Sequence, residues 1–234
     1  MLAIYKKEIR SYFTTPIGFV FVGVFLAASG LLFGISTLES KTSSLSTYMM
    51  FLTFAFIVLL PLLTMKSFAE EKRTKTEQLL LTAPISITSM VLAKFFAALT
   101  IFLATLTITC FYAIPLAIYG NPNIASFFGC IIALAFIGTC FIAIGIFISS
   151  ITENQFSAAT VTIAILAFLM LISLLNSLID SYFVRTVLNW ISIYSRYTYF
   201  TYGIFDYSAT LYYLSICVVF LFLTVRVFER RRWN

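Results

Sequence analysis

The chain has 234 residues, 61% of them hydrophobic and only 10% charged, with a formal net charge of +6 and a mean hydropathy of +1.02. Soluble domains carry about 25% charged residues, so this composition excludes an ordinary globular domain and implies an all-α polytopic membrane protein with room for six spans of about 20 residues. It has no histidine, and its four cysteines (Cys110, Cys130, Cys140, Cys217) sit in apolar runs without a CxxC pair. That removes a histidine metal site or base, makes disulfide staples an unsupported reading, and leaves the thiols as small buried hydrophobes.

Residues 1–15 place Leu2, Tyr5, Ile9, Tyr12 and Phe13 on one helical face and Lys6, Lys7, Glu8 and Arg10 on the other. Such an amphipathic helix lies in the membrane interface with its cations toward anionic headgroups. A signal peptide is the rival reading, but the apolar run from Pro16 to Leu38 is longer than its hydrophobic region. The first span is expected over 17–37, with Gly18, Gly23, Gly30 and Gly34 for close helix approach. A polar loop from Glu39 to Ser46 and a second span over 47–65, with Pro61 near its end, follow.

Residues 67–89, SFAEEKRTKTEQLLLTAPISITS, interrupt the apolar runs. Each Lys, Arg or Asp at the centre of a span costs about 2.5–3.5 kcal/mol, so this segment belongs in water. Glu71 with Lys75 and Glu70 with Arg73 have helical pairing distances, and Leu79, Leu80 and Leu81 form an apolar patch before Pro84 stops the helix. A plain solvated linker is the simple reading; a charged helix with an apolar knob is the pattern of a docking element.

The third span is expected over 90–119, where Thr105, Thr107 and Thr109 are expected to bond back to their own helix. Asn121, Pro122 and Asn123 make a turn. The fourth span, 126–148, is rich in small residues (Gly129, Gly138, Gly145, Ala133, Ala135, Ala143), which suits helix packing. The polar break SSITENQ and a fifth span over 158–179 come next. Residues 180–207 mix Trp190 and many Tyr and Phe with Arg185, Arg196 and Asp206, and are expected as short helices dipping into, or lying on, the outer leaflet. A sixth span over 212–227 ends at Glu229, Arg230, Arg231 and Arg232.

With the N terminus inside, Lys6, Lys7, Arg10, Lys66, Lys72, Arg73, Lys75, Lys94, Arg226, Arg230, Arg231 and Arg232 face the cytoplasm and only Lys41, Arg185 and Arg196 face outside. This positive-inside bias predicts a multi-pass protein of the bacterial cytoplasmic membrane with both termini cytoplasmic. No Asp, Glu, Lys or Arg stands near the centre of an apolar run, which argues against an ion-coupled carrier. The chain has no GxxxxGK[ST], HExxH or GxSxG motif, so it is expected to be no enzyme, to hold no cofactor of its own, and to receive ATP energy through another chain.

Four stretches carry a family resemblance: YKKEIRSYFTTPIGFVF, FAEEKRTKTEQLLLTAPIS, ISSITENQFSA, and the close from SRYTYF through YYLS to TVRVFERRRW. In these, and in its order of elements, the chain resembles the permease subunits of ABC-2 type (type V) exporters, in the branch of gliding-motility and copper-processing permeases. The resemblance implies one permease domain over 1–234 and a coupling loop over 67–89. In that loop Phe68 to Arg73 would prolong the second span, and Thr76 to Pro84 would dock on the ATPase. The implied docking residues are Phe68, Glu70, Glu71, Lys72, Arg73, Thr76, Leu79, Leu80 and Pro84, with a second cytoplasmic contact at Thr152, Glu153, Asn154 and Gln155 and an elbow helix marked by Lys6, Lys7 and Arg10. The family usually has Gly before that Thr and Glu before the leucines; here Lys75 and Gln78 stand in their places.

Implied partners are an ABC ATPase subunit that binds ATP and Mg, a second or homologous permease copy, membrane lipids and an extracytoplasmic accessory protein, with no nucleic acid. The substrate path would run between protomers along the first, second and fifth spans, with the aromatic outer segment as a lid. The alternative is a membrane scaffold or mechanosensing subunit that anchors an ATPase without moving a substrate.

Overall fold

The computed structural model describes residues 1–39, 46–76, 86–119, 124–175 and 205–233, and residues 186, 188, 192, 193, 196, 197, 200 and 203. Leu79, Leu80, Leu81 and Pro84, the Asn121-Pro122-Asn123 turn and most of the aromatic segment lie outside them. Among the described residues all regular structure is helical.

Helix α1 spans Leu2–Thr14 and α2 spans Pro16–Phe33, continued by a π-helical turn over Gly34–Glu39. The break between them is local. Thr15 is extended at φ −98°, ψ 150°, as a residue before proline prefers, and Pro16 opens α2 where its missing N–H costs nothing. Helix α3 (Ser46–Thr64) runs almost directly into α4 (Lys66–Arg73), a charged stalk. Helix α5 covers Ile87–Thr109, followed by a 3₁₀ turn at Cys110–Tyr112 and α6 at Ala113–Tyr119. The expected third span is therefore not one continuous α-helix. Pro115 opposes regular helix over its preceding turn, which is where the 3₁₀ segment lies.

Helix α7 (Ile124–Ile151) and α8 (Gln155–Leu175) flank a short link, and α9 (Tyr207–Trp233) carries helical structure well past both expected ends of the sixth span. Thr105, Thr107 and Thr109 do bond back, to the carbonyls of Ile101, Leu103 and Leu106.

Among the described residues, six helices are long and apolar enough to cross a membrane. α7 is the central one, packing on α9, α3, α8, α4 and α5. Within the chain, 67% of its apolar window is buried, against 28%, 28% and 22% for α2, α8 and α9, so those three present broad outward faces. All three α7 glycines are packing sites: a Cβ at Gly129 would strike the Phe200 carbonyl oxygen, one at Gly138 the Phe102 ring of α5, and one at Gly145 would strike Thr64 of α3. Gly23 of α2 and Gly34 of the π-helical turn differ from the expectation of close approach, since open space surrounds both within this chain.

The aromatic segment, expected as short helices dipping into or lying on the outer leaflet, turns several of its described residues inward. Ile193, Tyr197 and Phe200 are 1–3% exposed. Ile193 accepts a 2.7 Å hydrogen bond from Tyr213 Oη of α9, and Ser192 Oγ lies 2.9 Å from Ser173 Oγ of α8. These residues cap one end of the bundle with their side chains turned into it.

Candidate functional site

The opposite end gathers the basic residues of α4, α5 and α9, and its centre is Lys94. This lysine lies in α5 and is 3% exposed. Its Nζ stands 2.7 Å from Glu71 Oε1 of α4, 3.1 Å from Glu8 Oε1 of α1 and 2.6 Å from the carbonyl oxygen of Ser67. An ammonium has three N–H donors, so this set satisfies it, and the Phe68 ring lies 4.8 Å below. A desolvated charge survives only with such full pairing. Lys94 thereby ties three elements, α1, α4 and α5, at one point.

Helical spacing explains who reaches it. On α1, Tyr5, Glu8, Ile9 and Tyr12 share the inward face, so Glu8 leaves the polar face on which the sequence pattern places it. Lys6, Lys7 and Arg10 stay exposed, and so do Leu2 and Phe13. Tyr12 Oη donates to the Leu63 carbonyl oxygen at 3.2 Å. Burial, reinforced by the Glu8 carboxylate, pushes the Tyr12 hydroxyl well above its ordinary pKa, so it remains a neutral donor. On α4, Ser67, Phe68 and Glu71 point inward while Lys66, Glu70 and Arg73 point away, and Lys66 pairs with Glu70 at 3.1 Å.

The end of α7 forms the second half of the site. Ser149 Oγ accepts the Phe68 and Ala69 N–H groups at 3.0 and 3.1 Å, and lies 3.3 Å from the Met65 carbonyl oxygen, to which it donates. It thus caps the start of α4 from another helix. In return the last carbonyls of α7 accept from cations: Ser150 from Arg231 of α9 at 2.9 Å and Ile151 from Lys72 of α4 at 3.0 Å. Phe228 of α9 packs on Phe68 with ring centroids 4.6 Å apart.

These contacts redistribute the expected docking residues. Phe68 is 2% exposed and is core, not contact surface, because α4 turns it between α7 and α9. Glu71 is engaged by Lys94, and Lys72 donates to the Ile151 carbonyl oxygen of α7. The expected Glu71–Lys75 and Glu70–Arg73 pairs give way to Glu71–Lys94 and Lys66–Glu70: α4 ends before Lys75, and Glu70 pairs one turn back with Lys66. Arg73, Thr76, Glu153 and Asn154 are exposed, Glu70, Thr152 and Gln155 half-buried, and Leu79, Leu80 and Pro84 fall outside the described residues. Nothing but the presence of Glu8 and Lys94 in flanking helices could have announced the joint.

The stalk stops in a defined way. Lys75 has φ +57°, the left-handed region, and the Lys75 and Thr76 N–H groups bond to the Lys72 and Glu71 carbonyls, both at 3.0 Å. This is the Schellman arrangement, which favours glycine at the left-handed position. The Gly that the family resemblance leads one to expect there has a conformational reason, and Lys75 adopts that conformation without being glycine.

Among the described residues, six membrane-length helices, a charged stalk beyond the second and an ion-paired joint under it define a polytopic helical membrane protein. The family model for ABC-2 family transporter proteins matches residues 2–233, and the chain belongs to that family. No individual curated protein matches it. The chain is accordingly an ABC-type permease subunit, whose family pairs with an ABC ATPase subunit.

Proposed function

We propose that the chain is the membrane-spanning subunit of an ATP-driven exporter, with ATP and Mg bound by the separate ATPase subunit and the basic end of the bundle facing the cytoplasm. The Lys94 joint is the observation that carries this reading. A force applied to the stalk at Arg73, Thr76 and the segment beyond is delivered through Glu71 and Lys94 to α5, and through Glu8 to the elbow helix α1. Closure of the ATPase dimer on ATP supplies the differential affinity that shifts the permease between inward- and outward-open states. Two copies pair, and the wide outward faces of α2 and α8 support a substrate path between protomers.

The reading is tested in vesicles holding the permease with its ATPase. ATP-dependent movement of a substrate, lost in Lys94→Met while the two subunits still copurify, is the expected result. ATP turnover with no movement across a broad substrate panel would instead establish an anchoring scaffold. Sidedness is tested separately with Cys110 replaced by Ser: a cysteine at Lys75 is labelled only from the cytoplasm and one at Tyr207 only from outside, and the reverse pattern overturns the orientation.

A further inference from the structure

Between α5 and α9 lies an open groove of about 330 Å³, within the roughly 300–1,000 Å³ of small-ligand sites. Its α9 residues, Val218, Leu221, Phe222, Val225, Arg226 and Glu229, recur at three- and four-residue steps and so form one stripe along the helix. The stripe changes character at one point. From Val218 to Val225 it is apolar, as are Val91 and Leu92, which α5 contributes, whereas Arg226 and Glu229 make the other end charged. Val218 and Phe222 are 65% and 52% exposed, so the apolar part opens outward from the bundle.

That change falls at a defined depth. Between Asp206 and Arg226 the chain carries no charged side chain, and a helix rises about 30 Å over such an interval, the thickness of bilayer hydrocarbon. The apolar part of the groove therefore lies among acyl chains, and Arg226 at the level of the phosphates. Arg226 is already oriented: its guanidinium stands 4.9 Å from the centre of the Phe222 ring, and Nη1 donates to Glu229 Oε2 at 2.8 Å. A guanidinium has five N–H donors, so the bond to Glu229 leaves others for a phosphate, and the Arg226 side chain is 62% exposed. Arg230, one turn on, is exposed and makes no ion pair among the described residues, so two cations stand against one carboxylate at this end. We propose that the groove binds an anionic phospholipid of the phosphatidylglycerol type, with an acyl chain along Val218 to Val225 and its phosphate on Arg226. The lipid bridges α5, which carries Lys94, and α9, whose Phe228 packs on Phe68 of the stalk.

The complete protein is delipidated in detergent and offered phosphatidylglycerol, phosphatidylcholine or diacylglycerol with the same acyl chains, and the retained lipid is counted by native mass spectrometry. Phosphatidylglycerol is expected to be retained about fivefold more strongly than phosphatidylcholine, the effect of one net cation beside an anionic lipid. Diacylglycerol, which has the chains without the phosphate, is expected to be retained least. Equal retention of all three overturns the proposal. Arg226→Gln is expected to erase the preference for phosphatidylglycerol, whereas Arg10→Gln, an exposed cation on the elbow helix, is expected to preserve it; the same loss in both variants would reveal diffuse charge attraction and refute the site. Val218→Trp, at an exposed position, fills the apolar end with every charge intact and is expected to lower retention severalfold, and unchanged retention overturns the acyl-chain placement. Glycerophosphate held as strongly as the lipid would assign Arg226 to a soluble anion, and a dimer that retains no lipid and dissociates in Val218→Trp would assign the groove to a second copy of the chain; either result refutes the lipid. No ATPase is needed for these measurements, so their failure leaves the permease reading untouched.

Discussion

Lys94 Nζ stands 2.7 Å from Glu71 Oε1, bridging the third apolar helix to the stalk that prolongs the second. Breaking one partner of a buried pair costs more than the pair contributes, because the remaining charge keeps its desolvation penalty. Lys94→Met strands both Glu8 and Glu71 and is expected to destabilise the fold by roughly 3–5 kcal/mol. Adding Glu8→Gln and Glu71→Gln to it is expected to recover part of that loss. Thermal melting in detergent decides, and a triple variant no more stable than Lys94→Met would show that charge is not what the joint depends on.

Ser149 accepts two N–H groups at the start of the stalk. Ser149→Ala leaves both buried donors without that acceptor and is expected to cost about 1–3 kcal/mol. Hydrogen exchange should locate the loss in α4. Protection of the Phe68 and Ala69 amides equal to wild type would contradict this role.

The left-handed turn at Lys75 predicts opposite signs for two substitutions. Lys75→Gly removes the Cβ penalty and is expected to stabilise the stalk end by about 1 kcal/mol, whereas Lys75→Val is expected to destabilise it. Both are read from protease resistance of the stalk. If the glycine variant is cleaved faster than wild type, the turn does not have this geometry.

Gly145 and Gly138 let α3 and α5 approach the central helix. Gly145→Ala places a methyl against the buried Thr64 side chain and is expected to cost roughly 1–3 kcal/mol by overpacking. Gly23→Ala, facing open space, is expected to leave the melting temperature of the single chain unchanged. Comparable losses in the two variants would refute the assigned packing.

Much of the architecture was legible in the amino-acid order. Long apolar runs in a chain with few charges must become helices, since hydrocarbon offers no partner to a free backbone group, and the concentration of Lys and Arg in alternate connections implies an orientation. The back-bonding threonines followed from local rules, and the continuation of the second span into a stalk was implied by the family resemblance. Tertiary structure alone decided which polar residues are surface and which are internal. Glu8 and Glu71 are separated from Lys94 by 86 and 23 positions, and no local periodicity pairs them. Phe68, set in a run of charges, looks like an exposed contact until Phe228 and Ser149 close over it. The apolar pattern determines that helices form and about where they run; which faces meet depends on packing between distant segments, and there the burial of one lysine converts a polar loop into a joint.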